Sequence, residues 1–497
     1  MNFRILDVLT NLCLAELSSV SKTTRAGMTS AAATLMRLPH RLSFSLCSIS
    51  ISCALVSPQA LSLHPQTDLV DVLEAAEEAD PEYKQAQLNA LAVAEGIPQA
   101  KAALWLPSAQ FRIGTSRLRQ DINLSSSSAF GNGGVQKFST RQYRLDITQP
   151  IYHHDRIIAL QQADQRLQQA QLQTVSAKQA MMLRVAERYF NVLAANDNLE
   201  FARAETQSLK SQLEQAQQRF EVGLIAITDV HEAKAGFDRA SASEIQAQNL
   251  VENSREALRE TTALYIETVV PLGKTFQLNV PDPQNIDAWT KTALNQNIDL
   301  TAALVAADIE KNEIRRQSAQ HMPSIDVSAG HGYNRQGGRF GGNQVHQSDV
   351  GVEMTVPLYE GGSVLSRTRQ AQHRHGVALE QLEQTRRLVQ RETREAYLGI
   401  VSTMSSVTAL EQAVVSSRSA LDSTRAGFEV GTRTAIDVIA AERSLFQAKR
   451  DLARARYDYV LETLRLKKAA GSLQPDDLAI VNSWLSTADS ETAAESP

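Results

Sequence analysis

The chain has 497 residues, 43% hydrophobic but only 5% aromatic, with a mean hydropathy of -0.26. A composition rich in Ala and Gln and so short of aromatic side chains fits thin helical packing, bundles or coiled coils, better than one thick core. Beyond residue 62, 45 Lys and Arg stand against 53 Asp and Glu, a net charge of -8; this excludes a general nucleic-acid binder, which needs a basic face to displace counterions from phosphates.

Residues 1–62 have the layout of an export leader, and all three cysteines, Cys13, Cys47 and Cys53, lie there. Arg37, His40 and Arg41 form a basic n-region, 42–56 an apolar stretch, and Ala60 and Ser62 a small-residue cleavage pattern, which places the mature start near Leu63. Residues 1–35 precede this signal, so Met28 and Met36 are alternative starts. Cys53 also admits a lipid-anchor reading, but such a cysteine closes an apolar run and this one sits inside it. The exported chain would contain no cysteine. It has no run of about 18 consecutive apolar residues, so no transmembrane helix is expected and any spanning falls to strands.

The remainder reads as one unit written twice. Phe220-Glu221-Val222-Gly223 recurs as Phe428-Glu429-Val430-Gly431 and Asp229-Val230 as Asp437-Val438, both displaced by 208 residues. Leu106-Pro107-Ser108 answers to Met322-Pro323-Ser324, and Pro150-Ile151-Tyr152 to Pro357-Leu358-Tyr359. A repeat of this length is a duplicated domain rather than a solenoid, whose repeats run about 20–50 residues. The units are drawn at 63–285 and 286–471, and 472–497 ends in a Ser-, Thr-, Ala- and Glu-rich stretch expected to be a mobile tail.

Each unit opens with helix, 66–105 and 286–320, the first interrupted at Gly96-Ile97-Pro98. The period then changes to two. Strands are predicted at 108–117 and 140–151, where Phe111, Ile113, Tyr143, Leu145 and Ile147 alternate with Arg112, Arg144 and Asp146. In the second unit they fall at 324–334 and 347–358, with Val327, Val350, Val352 and Met354 against Asp326 and Glu353. Gly- and Ser-rich loops, 125–134 and 336–344, separate the members of each pair.

Long helical hairpins follow, at 152–270 with a tip near Gly223 and at 362–470 with a tip near Gly431. No Pro or Gly interrupts the 69 residues from Tyr152 to Phe220, enough for a helix on the order of 100 Å. Val407, Val414, Leu421 and Phe428 on one limb, and Val438, Leu445, Leu452, Tyr459 and Leu466 on the other, recur every seven residues, which is coiled-coil spacing.

Two-faced strands fit either an ordinary sheet with one wet side or a transmembrane barrel. The leader, the missing cysteines and the long hairpins favour the barrel. Four strands are too few to close in lipid, where an open edge strands unpaired backbone groups, so several copies must share one barrel.

At the tips, Arg219-Phe220-Glu221-Val222-Gly223-Leu224-Ile225-Ala226-Ile227-Thr228-Asp229-Val230 and the matching segment 426–438 resemble the two hairpin tips of the TolC family of outer-membrane efflux and secretion channels, the outer membrane factors. The resemblance runs from Leu69 to about Leu485. It implies a mainly α protein with a transmembrane β-barrel. Three chains of four strands each would form 12 strands over a periplasmic coiled-coil tunnel of twelve helices. It also implies docking to a periplasmic adaptor and an inner-membrane pump of RND, MFS or ABC type, with drugs, bile salts or unfolded secreted proteins as cargo.

By the same resemblance Val222, Gly223, Leu224, Val430, Gly431 and Thr432 are adaptor-docking candidates, although both glycines equally serve a backbone reversal. Arg433 would bind a neighbouring tip at Thr228 and Asp229, latching the entrance; an ordinary solvated arginine is the alternative. Phe428 stands where the family has a tyrosine in this latch. Ala440 replaces one of two aperture aspartates, leaving Asp437 to form an acidic ring.

His153-His154-Asp155 looks like a metal cluster, yet adjacent side chains at a strand-to-helix junction diverge, so exposed polar residues are expected there. No HExxH, Walker loop or spaced CxxC occurs, so neither an enzyme nor a cofactor is expected. The rival functions are a periplasmic adaptor, which would carry one hairpin between β-rich halves, and a fibrous coiled-coil scaffold, which leaves the strands without purpose.

Overall fold

The computed structural model describes residues 67–122, 134–273, 276, 278–337 and 342–485. The leader, most of the first Gly-rich loop, residues 338–341 of the second and the tail beyond 485 lie outside them.

Three short helices open the chain: α1 (Leu69–Ala79), α2 (Pro81–Ala94) and α3 (Gly96–Trp105). The break at Glu95 adjoins the Gly96-Pro98 signal, but a second break, at Asp80, does not figure in the sequence reading. There the buried Asp80 carboxylate accepts the Tyr83 amide at 2.8 Å, and Pro81 occupies the first helical position; the capping residue and the missing donor together start a new helix. In the second unit α6 (Ile286–Gln296) and α7 (Ile298–Ser318) are divided in the same way by Asn297, whose side chain accepts from the Leu300 amide at 2.9 Å.

Strands β1 (Ser108–Ile122), β2 (Gly134–Tyr152), β3 (Ser324–Gln336) and β4 (Asn343–Thr355) form one antiparallel sheet in the order β1-β2-β3-β4. The central β2–β3 pairing joins the two units, with Tyr143 opposite Tyr333. The first three strands run past their predicted ends. Apolar alternation stops beyond Ile113 and before Tyr143, whereas the backbone ladder continues through polar residues, because its hydrogen bonds do not depend on side-chain polarity. β4 instead starts earlier and stops at Thr355, short of the expected 358, where Pro357 has no amide to donate.

The helices α4 (His154–Glu221) and α5 (Ile227–Thr262) form the first hairpin, and α8 (Ser363–Glu429) and α9 (Ala435–Ala469) the second. The outgoing limbs have 68 and 67 residues and the returning ones 36 and 35, so each return ends about halfway. At that height lies the main core: Leu69 and Val72 of α1, Met181, Tyr189 and Phe190 of α4, Tyr457 and Leu464 of α9, and Leu478 of α10 (Pro475–Asn482). Tyr189 donates to the Val270 carbonyl at 2.8 Å and Tyr457 to Asp197 at 2.6 Å, satisfying buried hydroxyls. Burial raises the Asp197 carboxyl above its usual range even though the Tyr457 bond pulls it down.

Toward the tip, Leu421, Val438 and Leu445 form a separate apolar seam with Val414 and Phe428 packed against it. The heptad positions Tyr459 and Leu466 belong to the main core instead. One expectation is qualified: by length and composition α8 contains an 18-residue window, of hydropathy 1.3, apolar enough to cross a bilayer. Between Glu395 and Arg418 its one charge is Glu411, which bonds Arg456 of α9 at 2.9 Å. Because the paired limb there carries Arg450, Asp451, Arg454, Arg456 and Asp458, bilayer insertion would bury a highly charged neighbour.

Candidate functional site at the hairpin tips

Both long helices end in the same way. Gly223 and Gly431 each adopt φ of +77°, a left-handed conformation that costs other residues roughly 1–2 kcal/mol. The Leu224 amide reaches back to the Arg219 carbonyl at 2.8 Å, and the Thr432 amide to Gly427 at 2.8 Å; these are the six-to-one bonds that close a helix on a C′ glycine. The reversal leaves Val222, Leu224 and Val430 exposed at the extreme end, at 70%, 73% and 76%, beside exposed Thr432.

The returning helices start differently. Thr434 caps α9 through a reciprocal box: Asp437 accepts the Thr434 amide at 2.9 Å and its hydroxyl at 3.0 Å, and the Asp437 amide donates to Thr434 Oγ1 at 3.3 Å. The backbone bond from Thr434, then the hydroxyl bond and nearby Arg433, hold the Asp437 carboxyl below its usual range. In the first hairpin Ala226 occupies the cap position and offers no side-chain bond. Thr228 lies exposed and Asp229 half-buried in the first turn of α5.

Asp229, Arg219, Arg425 and Phe428 line one cavity of about 300 Å³ between the two hairpin ends. Arg219 of the first hairpin sits over the Phe428 ring, 4.9 Å from its centroid. Arg433 forms no ion pair with Asp229 among the described residues of the chain; its stem lies against Gly427, where an added Cβ would meet Cγ of Arg433 at 2.8 Å. Thus the structure gathers Phe428 and Asp229 round one cavity but leaves Arg433 apart from Thr228 and Asp229.

What holds the two hairpins together was not anticipated. Glu442 of α9, 1% exposed, takes hydrogen bonds from Arg425, from Ser208 and, at 2.5 Å, from Gln212. Higher up, the buried Glu205 of α4 faces Arg450 at 3.3 Å and Arg443 at 3.8 Å. Buried carboxylates require such partners. The sequence signal is Glu442's spacing, four residues after Val438 and three before Leu445, which puts a charge on the seam side of the helix.

At the other end His153 corrects the expectation of exposed polar residues: it is 9% exposed, and its Nε2 meets Asp326 Oδ1 at 3.0 Å, tying the end of β2 to the start of β3. Among the described residues no group of three or more His, Cys, Asp or Glu could hold a metal ion.

Two long helical hairpins thus each follow a pair of strands, and the four strands share one sheet. The family model described as "Outer membrane efflux protein" matches residues 72–263 and 289–472. The outer membrane protein TolC of Vibrio cholerae is 36% identical over 85% of this chain and 94% of its own length. The alkaline protease secretion protein AprF of Pseudomonas aeruginosa is 29% identical over 83% and 86%. Among solved structures, the Campylobacter jejuni CmeC outer membrane channel superposes with a TM-score of 0.68 at 16% identity, covering 85% of this chain and 90% of that one. The chain belongs to the outer membrane efflux protein family. It is an outer-membrane channel of the Gram-negative envelope that serves efflux and secretion.

Proposed function

We propose that three copies close one 12-stranded barrel in the outer membrane, four strands from each, above a tunnel of twelve helices. The carrying observation is a four-stranded sheet with two free edges whose Phe111, Ile113, Val350 and Val352 are 65%, 80%, 82% and 73% exposed. An apolar face of this extent fits lipid, and edges of this kind demand partners within it. The opposite face carries the Arg112–Asp146, Arg144–Asp146 and Arg144–Asp349 pairs at 3.3, 2.6 and 3.1 Å, as a watery lumen requires. The units 63–285 and 286–471 would each supply one strand pair and one helical hairpin.

In this reading the exposed tip residues Val222, Gly223, Leu224, Val430, Gly431 and Thr432 receive a periplasmic adaptor. An inner-membrane pump of RND, MFS or ABC type supplies the energy, and the channel itself is passive, neither an enzyme nor a cofactor carrier. Drugs, bile salts or an unfolded secreted protein are its cargo. Because Arg433 forms no ion pair among the described residues, its latch runs to Thr228 and Asp229 of a neighbouring copy, and Asp437, while capping its helix, adds one carboxylate per copy to the aperture. Planar-bilayer recording tests this: Arg433→Ala should raise single-channel conductance severalfold, and a trimer with unaltered conductance would count against the latch.

A further inference from the structure

Register assigns the basic residues at the loop end of the sheet to one side. Arg119 lies opposite Lys137, Arg117 opposite Ser139, and Arg141 opposite both Thr115 and Arg335. All five basic side chains fall on the same face as Phe111, Ile113, Tyr143 and Leu145, and all are exposed. They begin one row beyond a belt in which Tyr143 stacks on Tyr333 at 5.2 Å and Tyr333 lies 4.8 Å from His346. An aromatic belt marks the edge of the hydrocarbon. Rows follow at about 7 Å along a strand, so Arg141 and Arg335 stand at headgroup height, with Arg117 one row and Arg119 and Lys137 two rows further out, at the end remote from the helices.

Two of the cross-strand pairs, Arg119 with Lys137 and Arg141 with Arg335, set like charges directly opposite one another, an arrangement that destabilises a sheet. None of the five makes an ion pair among the described residues, although arginines on the opposite face of the same strands, Arg112 and Arg144, do. An anion lying between the rows would turn repulsion into attraction, and guanidinium groups suit phosphate.

We propose that this patch binds the phosphorylated headgroup of lipid A in the outer leaflet, its acyl chains lying along the apolar band below. The inference rests on the barrel reading, which makes this face the lipid side. In lipid A-free detergent, purified trimer should bind bisphosphorylated lipid A at least tenfold more tightly than its dephosphorylated form. Replacing Arg117, Arg119, Lys137, Arg141 and Arg335 together with Gln should weaken binding at least tenfold and leave conductance unchanged. Should that variant not assemble, the Arg141→Gln/Arg335→Gln pair serves, with a several-fold loss. Arg335→Gln alone should raise Tm without lipid A and reduce the Tm gain on adding it. Equal binding by the dephosphorylated lipid or by the Gln variants, or full stabilisation by inorganic phosphate at the same concentration, would overturn the proposal. A conducting trimer indifferent to lipid A sinks this inference alone; a chain that neither trimerises nor conducts sinks the barrel reading as well.

Discussion

At the scale of single residues, stability is concentrated in a few carboxylates enclosed between helices. Glu442 joins the two hairpins just above the tips, so Glu442→Ala leaves Arg425, Ser208 and Gln212 without their common acceptor. A loss of about 1–3 kcal/mol is expected, seen as a lower Tm and as slower disulfide cross-linking between cysteines introduced on the facing hairpin ends. Glu313 behaves differently. Burial alone would raise its carboxyl, but bonds from Arg316, Gln317 and Gln162 outweigh that and bring it down to about 2. A carboxyl lower in the folded than in the unfolded chain stabilises the fold above the unfolded value near 4.3, and loses that contribution as pH falls through about 2. Glu313→Gln should therefore cost on the order of 1–3 kcal/mol at pH 7, and the Tm difference from the parent should shrink below about pH 4. The tip glycines were legible because a four-residue phrase repeats around them. The long-range bonds of Glu442 and Glu313 were not, since Gln212 and Gln162 lie 230 and 151 residues away and a glutamate in a helix reads as solvated.

At the scale of elements, the tip half of the second hairpin depends on a thin seam. Leu445 packs there with Leu421 and Val438, and no thick core lies behind it. Leu445→Ala is expected to cost about 2–4 kcal/mol and to accelerate amide hydrogen exchange in α8 and α9 below the main core while sparing it. The heptads were readable because period seven survives in the sequence. That Tyr459 and Leu466 leave the seam for the main core was not, because helix periodicity says which face is buried but not by what. Strand existence was likewise readable from alternation, whereas strand length was not: past the predicted end at Arg117 the ladder runs on through Arg119, Gln120 and Asp121 to Ile122, beyond the apolar alternation.

For the whole molecule, the two faces of the sheet predict opposite outcomes from neighbouring substitutions. Val350 sits in the apolar band, where a lysine facing lipid costs about 2–4 kcal/mol near the bilayer midplane; Val350→Lys should reduce the trimer recovered from outer membranes. Asp349 lies next to it on the other face, paired with Arg144, so Asp349→Asn should assemble normally and shift ion selectivity, measured as a reversal potential under a salt gradient. The twofold order of two strands followed by a long hairpin was legible from the chain alone. The joining of the units through β2 and β3 was not, because any two of these amphipathic strands would pair acceptably by pattern.

The returning limbs end at mid-height, and this has a mechanical result. Below the core, which begins at Tyr457 of α9, the returning limb of the second hairpin runs through 22 residues, 435–456, roughly 33 Å. A tilt of only about 10° at its root would carry the tip sideways by roughly 6 Å, beyond the reach of any hydrogen bond there. Small rotations at a rigid waist are thus enough to dilate the mouth, and the helices themselves need neither bend nor unwind.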